Sequence, residues 1–154
     1  MNQNELIIFI QDNSEGDDFT GGVSEEIIKK TENQLGIKFP DSYKWFLAKY
    51  GSGGIFGVDI LGCGKASKPA VISNTESFRD IGLPHELVII ENCDEFVYCL
   101  DTSNFINNEC LVVYWDRSEG YGEKIANNFY DFLSERLIDA KENWEWDEDD
   151  DDDL

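Results

Sequence analysis

Residues 27 to 54 read IIKKTENQLGIKFPDSYKWFLAKYGSGG. The stretch predicts two short amphipathic helices joined by a Gly-to-Pro turn and closed by glycines. Ser24 is a good N-cap, and Glu25 and Glu26 fall in the first turn, where unpaired amides and the helix dipole favour acids. Ile27, Ile28, Thr31 and Leu35 then recur at helical spacing until Gly36 stops the helix. Pro40 suits the first position of the next helix, on which Tyr43, Phe46, Leu47 and Tyr50 share one face before Gly51 ends it. These aromatics read as core. Trp45 lies off the stripe and is the candidate for a second surface. Nothing in the stretch resembles reaction chemistry.

Working outward, residues 4 to 12 predict an N-terminal helix, followed by the Gly, Ser and Asp-rich loop NSEGDDFTGG. On the other side, Ile55 to Leu61 reads as a glycine-bounded strand, and residues 70 to 80 as a helix ending at Gly82. Three strands are then expected: LVIIEN (87 to 92), FVYCLDT (96 to 102) and CLVVYW (110 to 115). Their connections are too short for helical crossovers, so an antiparallel meander is the economical topology. The strands are apolar at successive positions, which implies cover on both sheet faces. Asn127 is placed to cap a final helix whose Phe129, Phe132, Leu133, Leu137 and Ala140 form one face, Arg136 adding its alkyl stem. The expected class is α+β, an antiparallel meander flanked by helices in a single domain over residues 1 to 141, with an acidic tail over 142 to 154.

That tail, ENWEWDEDDDDDL, holds nine acids and no Lys or Arg, so the remaining 141 residues carry −12 of the chain's −21. Self-repulsion predicts disorder from about Asp147. Trp144 and Trp146 either fold back on the body as a hydrophobic clasp or stand as anchors for a partner. So negative a surface repels phosphate backbones and anionic lipid, which excludes nucleic acid and membrane as partners and favours a basic protein. LIIFI at 6 to 10 is too short for a signal-peptide core or a membrane span, so a cytoplasmic location is expected. Cys63, Cys93, Cys99 and Cys110 lack CxxC spacing and read as reduced, packed thiols rather than a disulfide or zinc framework.

The residues Ile28, Glu32, Leu35, Gly36, Phe39-Pro40, Tyr43, Phe46, Leu47, Gly51, Gly53, Gly54 and Leu61-Gly62 together resemble the core motif of the SUKH superfamily. VVYWDR at 112 to 117 and NNFYDFL at 127 to 133 extend the likeness, and the phrases SYKWFLAKYG, CLDT and WDR are most similar to YobK-type antitoxins. The resemblance implies an α+β fold and, as in most bacterial members, an immunity protein that silences a secreted toxin by binding it. The acidic tail is not part of the motif, so its role is not inherited.

A search for chemistry returns little. His85 is the sole histidine, and no GxSxG elbow accompanies it. GSGGIFG at 51 to 57 lacks the GK[ST] of a phosphate loop, and its helix, glycine, strand order is the reverse of a dinucleotide fingerprint. The tail lacks the glycine and spaced ligands of a calcium loop. No catalytic residue, cofactor or metal is therefore expected. The expected partner-binding patch is Asp94, Glu95, Trp115, Asp116, Glu119 and Tyr121 in loops at the sheet edge, with Asp59; for Trp115 a place in the core stays open, because alternate residues of its strand must face inward. Nucleases need basic surfaces, so a nuclease toxin is the first reading of the partner. Two alternatives stay open: a housekeeping interaction module of the SUKH regulatory type, and a small acid-base hydrolase using the carboxylates at 94, 95, 116 and 119.

Overall fold

The two-helix segment folds as its caps dictate. In the computed structural model, which describes residues 1 to 152 with the side chains of 146 to 152 excepted, helix α1 spans Gln3–Asn13, α2 Glu25–Leu35 and α3 Asp41–Lys49. Asn2 and Glu5 form a reciprocal capping box on α1. On α2, Ser24 Oγ accepts from the Ile27 amide at 3.3 Å, and Gly36 takes the left-handed conformation at φ 71°. Pro40 sits one residue earlier than expected, as the N-cap of α3 in extended geometry.

Between α2 and α3 the motif residue Glu32 turns inward. It is buried, and its Oε2 accepts the Phe39 amide at 2.7 Å. Next to it Tyr43, fully buried, donates its hydroxyl to Leu61 O at 2.7 Å and packs edge-on against Phe39 and Phe129. Trp45, expected to serve a second surface, instead packs partly buried between Tyr50 and Tyr130, with ring centroids 5.7 and 5.5 Å away.

Residues 55 to 61 do not form the expected strand. Phe56 and Gly57 both take positive φ, and the Val58 amide bonds back to Ile55 O, so the segment coils into a turn. Only a bridge from Gly53 to Ile60 and a bond from the Leu61 amide to Ile90 O remain of the pairing.

Helix α4 (Ala70–Arg79) leads into a sheet of four strands in the order β1 (Leu87–Asn92), β2 (Phe96–Asp101), β3 (Val112–Asp116) and β4 (Gly120–Ala126), every neighbour antiparallel. The meander is thus one strand longer than expected. β4 has two bulges against β3, and Gly122 lies under the Tyr114 ring, where a Cβ would fall 1.9 Å from Cε1. The fold class is α+β, as the sequence predicts.

The two sheet faces are covered by different helices. Along β2 and β3, Tyr98 and Trp115 point to opposite faces because side chains alternate. Tyr98 meets Phe132 of helix α5 (Phe129–Asp152) at 5.1 Å, whereas Trp115 meets Phe78 of α4 at 6.0 Å. Glu91 is buried on the α5 side and is clamped by Arg136 through two bonds of 2.8 and 2.6 Å. The cap of α5 is Asn128, one residue beyond the expected Asn127, its Oδ1 accepting from the Asp131 amide. α5 runs on to Asp152, so the backbone of residues 147 to 152 is helical where disorder was expected, and the side chain of Trp146 and residues 153 and 154 lie outside those described. Cys63, Cys99 and Cys110 are buried free thiols and Cys93 is half-buried. Among the described residues no helix is long and apolar enough to cross a membrane.

Candidate functional site: an acidic hollow at the end of the sheet

A meander places alternate turns at the same sheet end, so the β1–β2 and β3–β4 turns must be neighbours. They are joined directly: Phe96 pairs with Asp116, and the Arg117 amide bonds to Glu95 O at 3.3 Å. Each turn is tied by its own acids and amides. Asp94, at φ 70°, donates its amide to Asn92 Oδ1, and the Glu95 amide bonds to Cys93 O. In the other turn the Asp116 carboxylate accepts the Ser118 and Glu119 amides at 2.7 and 3.1 Å, fixing its side chain without any partner from outside.

The outcome is an open hollow of about 620 Å³ lined by Asp94, Glu95, Asp116, Arg117, Ser118 and Glu119. Four of the seven residues singled out from sequence therefore converge. One guanidinium sits among these four carboxylates, and it is drawn aside: Arg117 lies over the Phe78 ring, 5.6 Å from its centroid. Against the hollow lies a smaller one of about 270 Å³, which shares Asp94 and Arg117 and adds Phe78 and the exposed Ile81. Tyr121, 60% exposed, follows the turn and pairs with Trp115 across the strands. Acids and an apolar shelf thus form one surface, whereas Tyr121 lines neither hollow.

Two more of the expected residues do not join it. Trp115 is only 5% exposed, because its phase in β3 turns it onto Phe78 beneath α4; it supports the surface from below and cannot anchor a partner. Asp59 lies in a different hollow, with Asp17, Asp18, Phe56 and Trp144. There Trp144 leans on Phe56 with ring centroids 6.2 Å apart while remaining half exposed. Ile81, Phe78 and Arg117 were not singled out from sequence. An exposed isoleucine just past a helix was the available signal for Ile81, since a solvated helix end has no need of one.

His85 serves the frame rather than this surface. Its Nε2 lies 3.4 Å from Gly36 O, closing the chain over the end of α2. The thiols are held in their protonated form: burial pushes Cys93 up to about 11 and Cys110 up to about 12, and raises Cys63 and Cys99 as well. Among the described residues no group of three or more His, Cys, Asp or Glu side chains is arranged to hold a metal ion.

The same arrangement of elements occurs elsewhere. A crystal structure of a protein from Pseudomonas syringae pv. tomato superposes with a TM-score of 0.63 at 20% identity, covering 79% of this chain and 89% of that one, a likeness of fold. The sequence model of the SUKH group described as SMI1-KNR4 cell-wall matches residues 3 to 138, from the first turn of α1 to the buried heart of α5. The chain belongs to the SUKH, or SMI1-KNR4, family.

Proposed function

We propose that this protein is a cytoplasmic immunity protein, which neutralises a cognate secreted toxin by stoichiometric binding and performs no catalysis. The observation that carries the reading is the convergence of Asp94, Glu95, Asp116 and Glu119 on one open hollow beside the exposed Ile81. A shallow acidic surface with an apolar shelf suits a basic macromolecule, because carboxylates steer the encounter and exposed apolar side chains supply contact area. A toxin that holds nucleic acid on a basic surface fits this chemistry, so a nuclease is the proposed partner.

Co-expression tests it. The product of the neighbouring reading frame should kill cells, and this chain should rescue them and co-purify with it. Asp116→Lys with Glu119→Lys should weaken capture by about tenfold or more, since like charges placed across an interface cost several kcal/mol. Unchanged affinity in that variant removes the hollow from the interface.

A second reading, a regulatory interaction module, draws support from the cell-wall description of the matching family. It is favoured if no toxic neighbour exists and a host protein co-purifies instead. Turnover of small esters or glycosides, abolished by Asp116→Asn, would replace both readings with hydrolysis.

A further inference from the structure

The chain carries 12 Lys and Arg against 33 Asp and Glu, yet four of its lysines fall in two short segments that face each other. Lys29 and Lys30 are on α2, and Lys65 and Lys68 are on the loop that leads into α4. Between these segments opens a cleft of about 380 Å³, with Val23, Ile27, Pro69 and Ile72 as its apolar lining and Lys30 and Lys68 on its walls. Ile27 is the clearest sign that the cleft is not ordinary surface. It stands on the apolar side of an amphipathic helix yet is 42% exposed. Its neighbour Ile28, by contrast, is buried in the core.

Both charged residues that line the cleft, Lys30 and Lys68, are cationic. α4 begins at the cleft with Pro69 as N-cap, which offers no side-chain acceptor to the first-turn amides. The positive end of the helix dipole thus adds to the two ammonium groups. Lys68 is held in place by an ion pair with Glu76 at 2.6 Å, on the next turns of the same helix. The volume is in the range of cavities that take two apolar side chains or a small ligand, roughly 300 Å³ and upward.

We propose that this cleft docks an acidic amphipathic segment of a partner protein, its apolar side chains entering between Ile27 and Ile72 and its carboxylates meeting Lys30 and Lys68. Charge complementarity selects the occupant. A basic segment would face two ammonium groups and a helix N-terminus, and a purely apolar one would desolvate Lys30 and the Lys68–Glu76 pair with no added carboxylate to compensate. The site is of opposite sign to the acidic hollow, and the inference does not depend on the immunity reading.

Fluorescence anisotropy of the full-length protein tests it. The probe is a labelled peptide of about 12 residues with leucines at helical spacing and glutamates between them. Two companions replace every glutamate by lysine, or every leucine by alanine. The acidic amphipathic peptide should bind and the alanine companion should not, while the lysine companion, for which the acidic hollow is the matching surface, should not displace the acidic peptide. Lys30→Glu combined with Lys68→Gln should weaken binding by about tenfold, and Ile27→Ser should weaken it independently. All three positions are at the surface, so thermal melting that matches wild type confirms folding. Displacement of the acidic peptide by the lysine peptide, affinity for the acidic peptide unaltered in the lysine variant, or no binding of it by about 1 mM overturns the proposal. Sedimentation of the protein alone is the second arm: self-association abolished by Lys30→Glu would instead assign the cleft to another copy of this chain.

Discussion

Glu32 offers the sharpest test of how the family motif holds the fold. It is 6% exposed, and its carboxylate is the acceptor for the Phe39 amide at 2.7 Å across the turn between α2 and α3. Glu32→Ala leaves that amide without its acceptor. A hydrogen bond to a charged group contributes about 1.5 to 3 kcal/mol, and the few tenths that alanine returns through helix propensity do not offset it. The expected net cost is about 2 kcal/mol, equivalent to a melting point lower by roughly 4 to 8 °C for a chain of this size. Glu32→Gln keeps a neutral acceptor of nearly the same shape and should lose about half as much, because charge-assisted bonds are roughly twice as strong as neutral ones. Urea denaturation followed by the fluorescence of the four tryptophans gives both numbers. Glu26→Ala, on the exposed side of the same helix, is the control. If the alanine and glutamine variants both fall within about 0.5 kcal/mol of wild type, the turn is held by packing and the carboxylate is incidental.

Gly51→Ala should be among the most damaging single-methyl changes: φ is +76°, and the new Cβ would lie 2.1 Å from Gly21 O and 2.8 Å from Cys63 O. A loss above about 3 kcal/mol, or insoluble expression, is expected, since the left-handed conformation alone costs about 1 to 2 kcal/mol. Arg136→Met should cost about 3 kcal/mol by stranding Glu91, which is 4% exposed, while Glu91→Met with Arg136→Met should recover most of it. Equal melting points for the single and double variants would show that the pair contributes no charge-specific stability. Stability should also fall at alkaline pH. The Cys110 thiol is pushed up to about 12 by burial, so above pH 9 the unfolded chain releases its proton first. Unfolding then becomes easier by up to about 1.4 kcal/mol per pH unit between pH 9 and 12, and below pH 9 this thiol has no effect. Cys110→Ala should remove its share of the slope in urea titrations at pH 8 and 10.

What could be read from sequence was what local rules govern. The caps at Ser24 and Gly36 fixed α2, and the apolar blocks at 87 to 92, 96 to 102 and 110 to 115 located three strands to within two residues. β4 was illegible because Gly120, Gly122, Glu123 and Lys124 all disfavour strand. Its pairing is bought by tertiary packing, the Tyr114 ring supplying the surface that Gly122 lacks. The turn at 55 to 61 shows the converse. Ile55, Val58, Ile60 and Leu61 suit a strand and are buried, but the positive φ of Phe56 and Gly57 folds the segment inward without a ladder.

The site followed the same division. Once a meander is inferred, acids in alternate turns must share an end, so Asp94, Glu95, Asp116 and Glu119 were within reach of sequence reasoning. The inward phase of Trp115 was not, because both faces of β3 are covered and periodicity cannot tell which helix lies on which. Nor was the shelf of Phe78 and Ile81, which reaches the hollow from α4 through a contact between distant parts of the chain.

Helix α4 relates the two proposed surfaces. Pro69 and Ile72 at its start line the lysine cleft, and Phe78 at its end, with Ile81 just beyond, lines the shelf of the acidic hollow. Ten helical residues span about 15 Å, so the two sites are separated by roughly that distance. The dipole of α4 is positive toward the lysines and negative toward the acids, so helix and side chains polarise the molecule in the same sense; Arg79 and Arg117 temper the acidic end. At physiological salt the Debye length is about 8 Å, shorter than this separation. A ligand at either end therefore experiences the local charge rather than the total of −21. An interface of ordinary size covers about 800 Å² on each partner, broad enough to reach both ends of α4. A uniformly basic partner centred on the helix would place positive charge against Lys30 and Lys68. It must therefore shift toward Asp116 and Glu119, leaving the cleft open for a second, acidic contact.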